Sequence, residues 1–206
     1  MALPVLPRAF YLHRPDVVAR ALLGKVLVRR CDVRRRSQTI ATRLAGRIVE
    51  VEAYFGMDDP AAHAFAGKTA RTAVLFGPPG FAYVYFIYGM HYCLNLSCEP
   101  EGQAGSVLLR ALEPLEGLAT MARLRGLAEG ANPRLLTSGP GRLCEALGIA
   151  RETHNGVDAT SRQSGLHVED DGFVPAQIEV TRRIGIRHAA ERPLRFALAG
   201  NRFVSK

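Results

Sequence analysis

Lysine is nearly absent from this chain: only Lys25, Lys68 and Lys206 occur among its 27 basic residues. The remaining cations are arginines, which suit bidentate phosphate contacts but also follow from genomic base composition, so their number alone decides nothing. Cysteine is sparse as well. Cys31, Cys93, Cys98 and Cys144 show neither CxxC spacing nor the paired Cys/His arrangement of a zinc site, and the last three stand in apolar stretches. They read as reduced, buried small hydrophobes. No segment is apolar for long enough to span a bilayer, and Met1-Ala2-Leu3-Pro4 does not begin the charged-then-apolar pattern of a secretory leader. The expectation is a soluble cytoplasmic protein. Internal repeats, low-complexity linkers and clear boundaries are missing too, so residues 1–206 are expected to form one domain.

What is abundant is positive charge. A formal +8 and a sequence pI near 9.8 favour a polyanionic partner, either nucleic acid or an acidic membrane surface. Hydrophobic patterning predicts interleaved helices and strands. Pro15 and Asp16 open an apolar-periodic stretch through Leu22 that Gly24 closes. Lys25 to Arg30 and Ile40 to Tyr54 alternate as strands, separated by the basic turn Arg34-Arg35-Arg36-Ser37-Gln38, which either faces water or meets phosphate. Between Ala61 and Phe76 no period is sustained, as in a functional loop, and Gly77-Pro78-Pro79-Gly80 is a turn. Phe81 to Tyr88 and Tyr92 to Ser97, interrupted at Gly89, have the pattern of a β-hairpin, and Val107 to Ala111 that of a buried strand. Helices are expected from Pro114 through Leu124 and from Ser138-Gly139-Pro140 through Leu147, the latter capped by Gly148. Residues 150–172 read as surface loops, followed by strands from Ile178 to Ile186 and Leu194 to Leu198. Elements that interleave without regular alternation predict a mixed α+β domain: a curved, mostly antiparallel sheet, flanking helices and a protruding β-hairpin.

Alternation places Glu50, Glu52 and Tyr54 on one face of their strand, opposite Val49, Val51 and Ala53. Two carboxylates and a phenol sharing a surface are either solvated partners of Arg43 and Arg47 or part of a site. Tyr83, Tyr85, Tyr88 and Tyr92 bring four of the six tyrosines into the hairpin, beside Phe81 and Phe86. Such a cluster serves core packing, or base stacking and insertion between base pairs. Tyr88-Gly89-Met90 at its tip has the form of a wedge. Arg110 interrupts an apolar strand and needs an acidic partner or an anionic ligand; Glu52, Glu113 and Glu116 are the candidates. His63, near Asp58 and Asp59, lacks a firm set of co-ligands and reads as unmetallated rather than as a metal ligand.

Together these segments resemble the alkyladenine (3-methyladenine) DNA glycosylase family of the mammalian type, which also has bacterial members. The resemblance rests on Arg47-Ile48-Val49-Glu50-Val51-Glu52-Ala53-Tyr54, Ala61-Ala62-His63, Tyr83-Val84-Tyr85-Phe86-Ile87-Tyr88-Gly89-Met90, Asn95 and Leu108-Leu109-Arg110-Ala111-Leu112-Glu113-Pro114-Leu115-Glu116-Gly117. Ser138-Gly139-Pro140, Leu143-Cys144 and Arg192-Pro193-Leu194-Arg195-Phe196 extend it over nearly the whole chain. It implies a monofunctional glycosylase of base excision repair, a monomer without cofactor or metal, acting at the bacterial nucleoid on double-stranded DNA with an alkylated or deaminated purine. On the matching positions, Glu52 is the general base and Arg110 helps to hold the nucleophilic water. Tyr54, His63 and Tyr85 line a pocket for the flipped base, Asn95 screens its exocyclic groups, and Tyr88 with Met90 fills the vacated place in the duplex. The loop Phe65-Ala66-Gly67-Lys68-Thr69-Ala70-Arg71 departs from the family pattern, which carries a further arginine and a proline before the arginine matching Arg71.

Chemistry is consistent with those roles. A base inside stacked DNA is out of reach, and extruding it costs a few kcal/mol, less for a damaged base. Aromatic faces attract a cationic alkylated purine by roughly 0.5–2 kcal/mol each. Cleavage builds an oxocarbenium-like sugar that a carboxylate stabilises while taking a proton from water. With lysine so scarce, water rather than an amine is the expected nucleophile, so no Schiff-base lyase step follows. Two other classes compete: a non-catalytic nucleic-acid-binding module using the hairpin and basic loops, and a metal-dependent nuclease built on His63 and the acidic strand.

Overall fold

Strand-forming residues concentrate in two stretches, each of which folds back on itself. In the first, β1 (Val26–Arg35) and β2 (Gln38–Tyr54) pair from Val26 opposite Arg47 out to Arg35 opposite Gln38. In the second, β3 (Ala82–Ile87), β4 (His91–Cys98) and β5 (Gly105–Glu116) form a meander. Three short strands, β6 (Leu166–Glu169), β7 (Ile178–Thr181) and β8 (Arg195–Leu198), complete an eight-stranded sheet in which every pair is antiparallel. Its order is β3-β4-β5-β2-β1-β6, with β8 beside β2 and β7 outside β8. This computed structural model describes residues 3–35 and 38–205, the side chains of 33–35 and 38–40 excepted. Arg36 and Ser37, the centre of the expected basic turn, lie outside the described residues.

The 17-residue β2 is long enough to change partners along one edge. β1 covers it from Gln38 to Arg47 and β8 from Glu50 to Glu52, while β5 follows the other edge from Ala45 to Tyr54. Register shifts fall between Ile48 and Glu50 and between Glu50 and Val51, where one partner gives way to the next. Bulges of this kind bend a strand and re-aim its side chains. Glu50 and Glu52 are thereby held in the middle of the sheet.

The helices are α1 (Pro15–Leu22), α2 (Leu118–Leu124), α3 (Arg134–Thr137), α4 (Pro140–Leu147) and α5 (Arg151–His154). Proline sits at the first turn of α1 and α4, where its missing N–H has no partner to lose, and Gly148 ends α4 at a left-handed φ of 62°. Val49, Val51 and Ala53, the apolar face of β2, join Leu22, Leu109, Met121, Leu143 and Leu147 in the main core. A smaller cluster of Ala64, Leu75, Phe76 and Tyr83 packs under the loop of residues 55–81.

Three expectations need correction. Pro114 does not start a helix: it lies in β5 opposite Gly46, next to a register shift, where an absent N–H is tolerated. α2 begins only after Gly117, whose φ of 82° and close approach to Leu44 leave no room for a Cβ. Residues 150–172 are not all surface loop, because β6 is wholly buried. Its His167 and Glu169 make it look polar, but Glu169 accepts hydrogen bonds from Arg43 (2.7 Å) and Arg162 (2.5 Å) and pairs with His167 (3.0 Å). The strand expected to Ile186 ends at Thr181, since Arg183 turns inward and Gly185 takes a φ of 76°. Of the cysteines, Cys93, Cys98 and Cys144 are buried and Cys31 is half-buried; all four are free.

Candidate active site

The polar face of β2 is neither solvated nor paired with Arg43 and Arg47. Arg43 engages Glu116 and Glu169, and Arg47 engages Asp171 and the Gly24 carbonyl. Glu50 and Glu52 have no exposed surface, and Arg110 of the neighbouring β5 lies between them. Its Nε donates to Glu50 Oε1 at 2.8 Å, and its Nη1 lies 3.1 Å from Glu52 Oε1. The alternative partners are taken: Glu113 by Asn201 and Glu116 by Arg43.

Besides the ion pair with Arg110, Glu52 accepts two hydrogen bonds, from Tyr54 Oη to Oε2 at 2.8 Å and from the Ile184 N–H to Oε1 at 2.8 Å. With one hydrogen bond to Oε2, and with Oε1 taken by the Ile184 amide and facing Arg110, an acceptor position is left at Oε2. Burial and the adjacent Glu52 push the Tyr54 phenol well above its ordinary range, so it stays a donor. Arg110 is held charged: burial works against that state, and Glu52 and Glu50 outweigh it.

Beside this cluster opens a cavity of about 380 Å³, within the range of small-ligand pockets, about 300–1,000 Å³. Tyr54, Arg110 and Ile184, the three partners of Glu52, all line it, so the buried carboxylate lies just behind the cavity wall. His63, Tyr83, Tyr85 and Asn95 line it as well. The His63 ring meets Tyr85 edge-on with centroids 4.4 Å apart, and its Nδ1 is 3.0 Å from Tyr83 Oη. Burial against these rings and the nearby Arg71 push the His63 pKa down to about 4, so the imidazole is neutral at physiological pH. Asn95, almost fully buried, donates from Nδ2 to the Tyr83 carbonyl at 3.3 Å.

Tyr88 stands at the mouth with 76% of its surface exposed, and Met90 beside it with 67%. The Ile87 carbonyl accepts from the Met90 N–H, and Tyr88 and Gly89 both have positive φ, 55° and 68°, in the three-residue connection between Ile87 and its partner His91. Tyrosine rarely takes that conformation. Glu52, Arg110, Tyr54, His63, Tyr85, Asn95 and Tyr88 are thus brought to one place; Met90 shares the tip but does not line the cavity.

Sequence reasoning missed the segment 182–186, which closes one side of the cavity. Arg183 makes a bidentate pair with Asp59, with Nη1 to Oδ2 at 2.5 Å and Nη2 to Oδ1 at 2.8 Å. Its Nη1 also donates to the Ala53 carbonyl, and its guanidinium lies 4.6 Å over the Tyr54 ring. The signal available was Asp59, an acid beside the pocket loop that needed a cation. Asp59 thus pairs with Arg183, and His63 Nδ1 with Tyr83 Oη.

The sequence model of the Methylpurine-DNA glycosylase (MPG) family matches residues 9–202. A protein of Koribacter versatilis is 57% identical over 200 residues, which cover 97% of this chain and 92% of the relative. Relatives from Burkholderia lata, 46% identical over 98% of this chain and 91% of their own, and from Rhodopseudomonas palustris, 45% identical over 98% and 89%, match comparably. All three carry the provisional name 3-methyladenine DNA glycosylase. Among the described residues no helix is long and apolar enough to cross a membrane. From the family match and these identities, the chain belongs to the methylpurine-DNA glycosylase family of DNA repair enzymes.

Proposed function

We propose that this glycosylase draws an alkylated or deaminated purine out of duplex DNA into the tyrosine-lined cavity and hydrolyses its N-glycosidic bond with a water held by Glu52. The observation that carries the reading is the Glu52 carboxylate, fixed by Arg110, Tyr54 and the Ile184 amide behind the wall of an aromatic pocket. Tyr88 fills the gap left in the duplex, with Met90 beside it. The extruded base lies against Tyr54, His63 and Tyr85. A neutral His63 does not repel a cationic purine, and the electron-rich ring faces attract it. Asn95, tied to the Tyr83 carbonyl, sets the shape against exocyclic substituents.

As the bond to the base breaks, positive charge grows on the sugar, and the nearby carboxylate stabilises it. The free acceptor position on Glu52 Oε2 takes the proton of the attacking water, while Arg110 holds the carboxylate in place. The base leaves with the bonding pair, and the sugar keeps the hydroxyl. Lys25 is engaged by Asp170 at 2.7 Å, and Lys68 is exposed on the divergent loop, which supports water over an amine as nucleophile. In this reading the protein acts as a monomer and without metal or cofactor.

The test is incubation with duplexes carrying a methylated purine, hypoxanthine or ethenoadenine, in chelator, followed by borohydride. Free base, an intact strand with an abasic site and no trapped adduct are expected. Strand cleavage that chelator abolishes would support the nuclease reading instead, and absence of any released base the binding-module reading.

A further inference from the structure

Glu50 is the less obvious member of the carboxylate pair. Neither carboxylate lines the cavity itself, but Arg110, Tyr54 and Ile184, which hold Glu52, all do, whereas of the residues that hold Glu50 only Arg110 does. The Glu50 Oε1 accepts from Arg110 Nε at 2.8 Å, Arg195 Nε at 2.7 Å and Ser205 Oγ at 2.8 Å, and its Oε2 accepts from the Ser205 N–H at 2.6 Å. Four donors, three on Oε1 and one on Oε2, engage both oxygens of the carboxylate. Burial would raise the Glu50 carboxyl, but Arg110, the Ser205 amide and Arg195 together hold it below the usual range.

The consequence falls on Arg110. A guanidinium is a rigid plane, so fixing its Nε edge fixes where its outer nitrogens go. Glu50 grips that edge, Ser205 Oγ accepts from Arg110 Nη2 at 3.3 Å, and Nη1 is left facing Glu52. Arg195, opposite Glu52 in the pairing of β2 with β8, supplies the second positive charge, so two glutamates and two arginines balance within the cluster.

We infer that Glu50 and Ser205 are positioning residues for excision: through Arg110 they set the geometry of Glu52 without touching the substrate. This rests on the assignment of Arg110 and Glu52 to the reaction. Segment 203–205 is then a working part of the site, since Phe203 is buried in the core and its carbonyl accepts from Ser138 Oγ at 2.6 Å, bringing Ser205 to Glu50.

The test is a double-mutant cycle read by single-turnover excision at saturating enzyme, with affinity for the damaged duplex measured alongside. In Glu50→Gln an amide N–H₂ meets the Ser205 N–H, donor against donor, and the hold on Arg110 weakens. Excision should fall about 10- to 100-fold, the scale of one lost charge-assisted hydrogen bond, with damaged-duplex affinity within about twofold of wild type. In an Arg110→Ala background the same change should cost less than about threefold more. Ser205→Ala, which removes one donor to Glu50 and one acceptor for Arg110 while leaving both charges, serves if Glu50→Gln does not fold. It should slow excision about three- to tenfold, again only while Arg110 is present. Full additivity of either variant with Arg110→Ala, or unchanged excision in both, would overturn the positioning role. Unchanged excision in Arg110→Ala alone would instead overturn the assignment of the site, and this inference with it.

Discussion

Tyr88 pays for its position twice, in exposed apolar surface and in a left-handed backbone. A non-glycine residue held there costs about 1–2 kcal/mol, and the hairpin has a glycine available one residue later. That residue 88 is tyrosine and not a second glycine points to a use for the side chain beyond turn stability. Tyr88→Gly is therefore expected to leave unfolding free energy unchanged or raise it by up to about 1 kcal/mol, while weakening binding to a damaged duplex. A denaturant titration and a binding isotherm on one preparation check both; loss of stability with intact affinity would contradict the wedge. His63 offers a second test. Its folded pKa of about 4 lies below the ordinary 6.5, so between those values the unfolded chain binds more protons than the folded one. Its contribution to stability is complete above pH 6.5 and is lost as pH falls toward 4. His63→Gln should flatten the pH dependence of Tm across that window, and an unaltered slope would show that the ring is not shielded.

At the level of elements, segment 182–186 decides whether the site is closed. The Asp59–Arg183 pair has no exposed side-chain surface, and removing one partner leaves the other charge buried. Asp59→Ala should cost about 3–5 kcal/mol and speed hydrogen exchange at the Ile184 amide, which donates to Glu52. Unchanged exchange there would separate the ion pair from the site. β2 and the β3–β4 hairpin were legible beforehand because period-two alternation specifies faces regardless of what covers them. That reading put Glu50, Glu52 and Tyr54 together and Tyr88 at a tip. Whether their face met water or protein was not legible, since Arg110 lies 58 residues beyond Glu52 and only the β2–β5 register brings them into contact. Segment 182–186 was read as strand because its branched residues alternate, while the inward turn depends on Asp59. β6 escaped notice for the same reason: His167 and Glu169 look like surface until Arg43 and Arg162 neutralise them.

For the whole molecule, the formal charge of +8 sets how DNA is found, and the pocket sets what is done there. Affinity for undamaged duplex should fall steeply with salt. Arg187, exposed next to the cavity-lining Ile186, is a candidate for contact with phosphate. Arg187→Gln should reduce the slope of log K against log salt by about one and weaken damaged and undamaged duplexes alike; a selective loss on damaged DNA would place it in recognition instead. In the proposed function all of this serves one event, the meeting of an extruded purine nucleotide with the carboxylate behind the aromatic cavity. The most direct measurement is single-turnover excision of a methylated purine by Glu52→Gln beside wild type, with damaged-duplex affinity determined for both. The account predicts retained binding and excision slowed by orders of magnitude. Near-normal excision by the variant would contradict it.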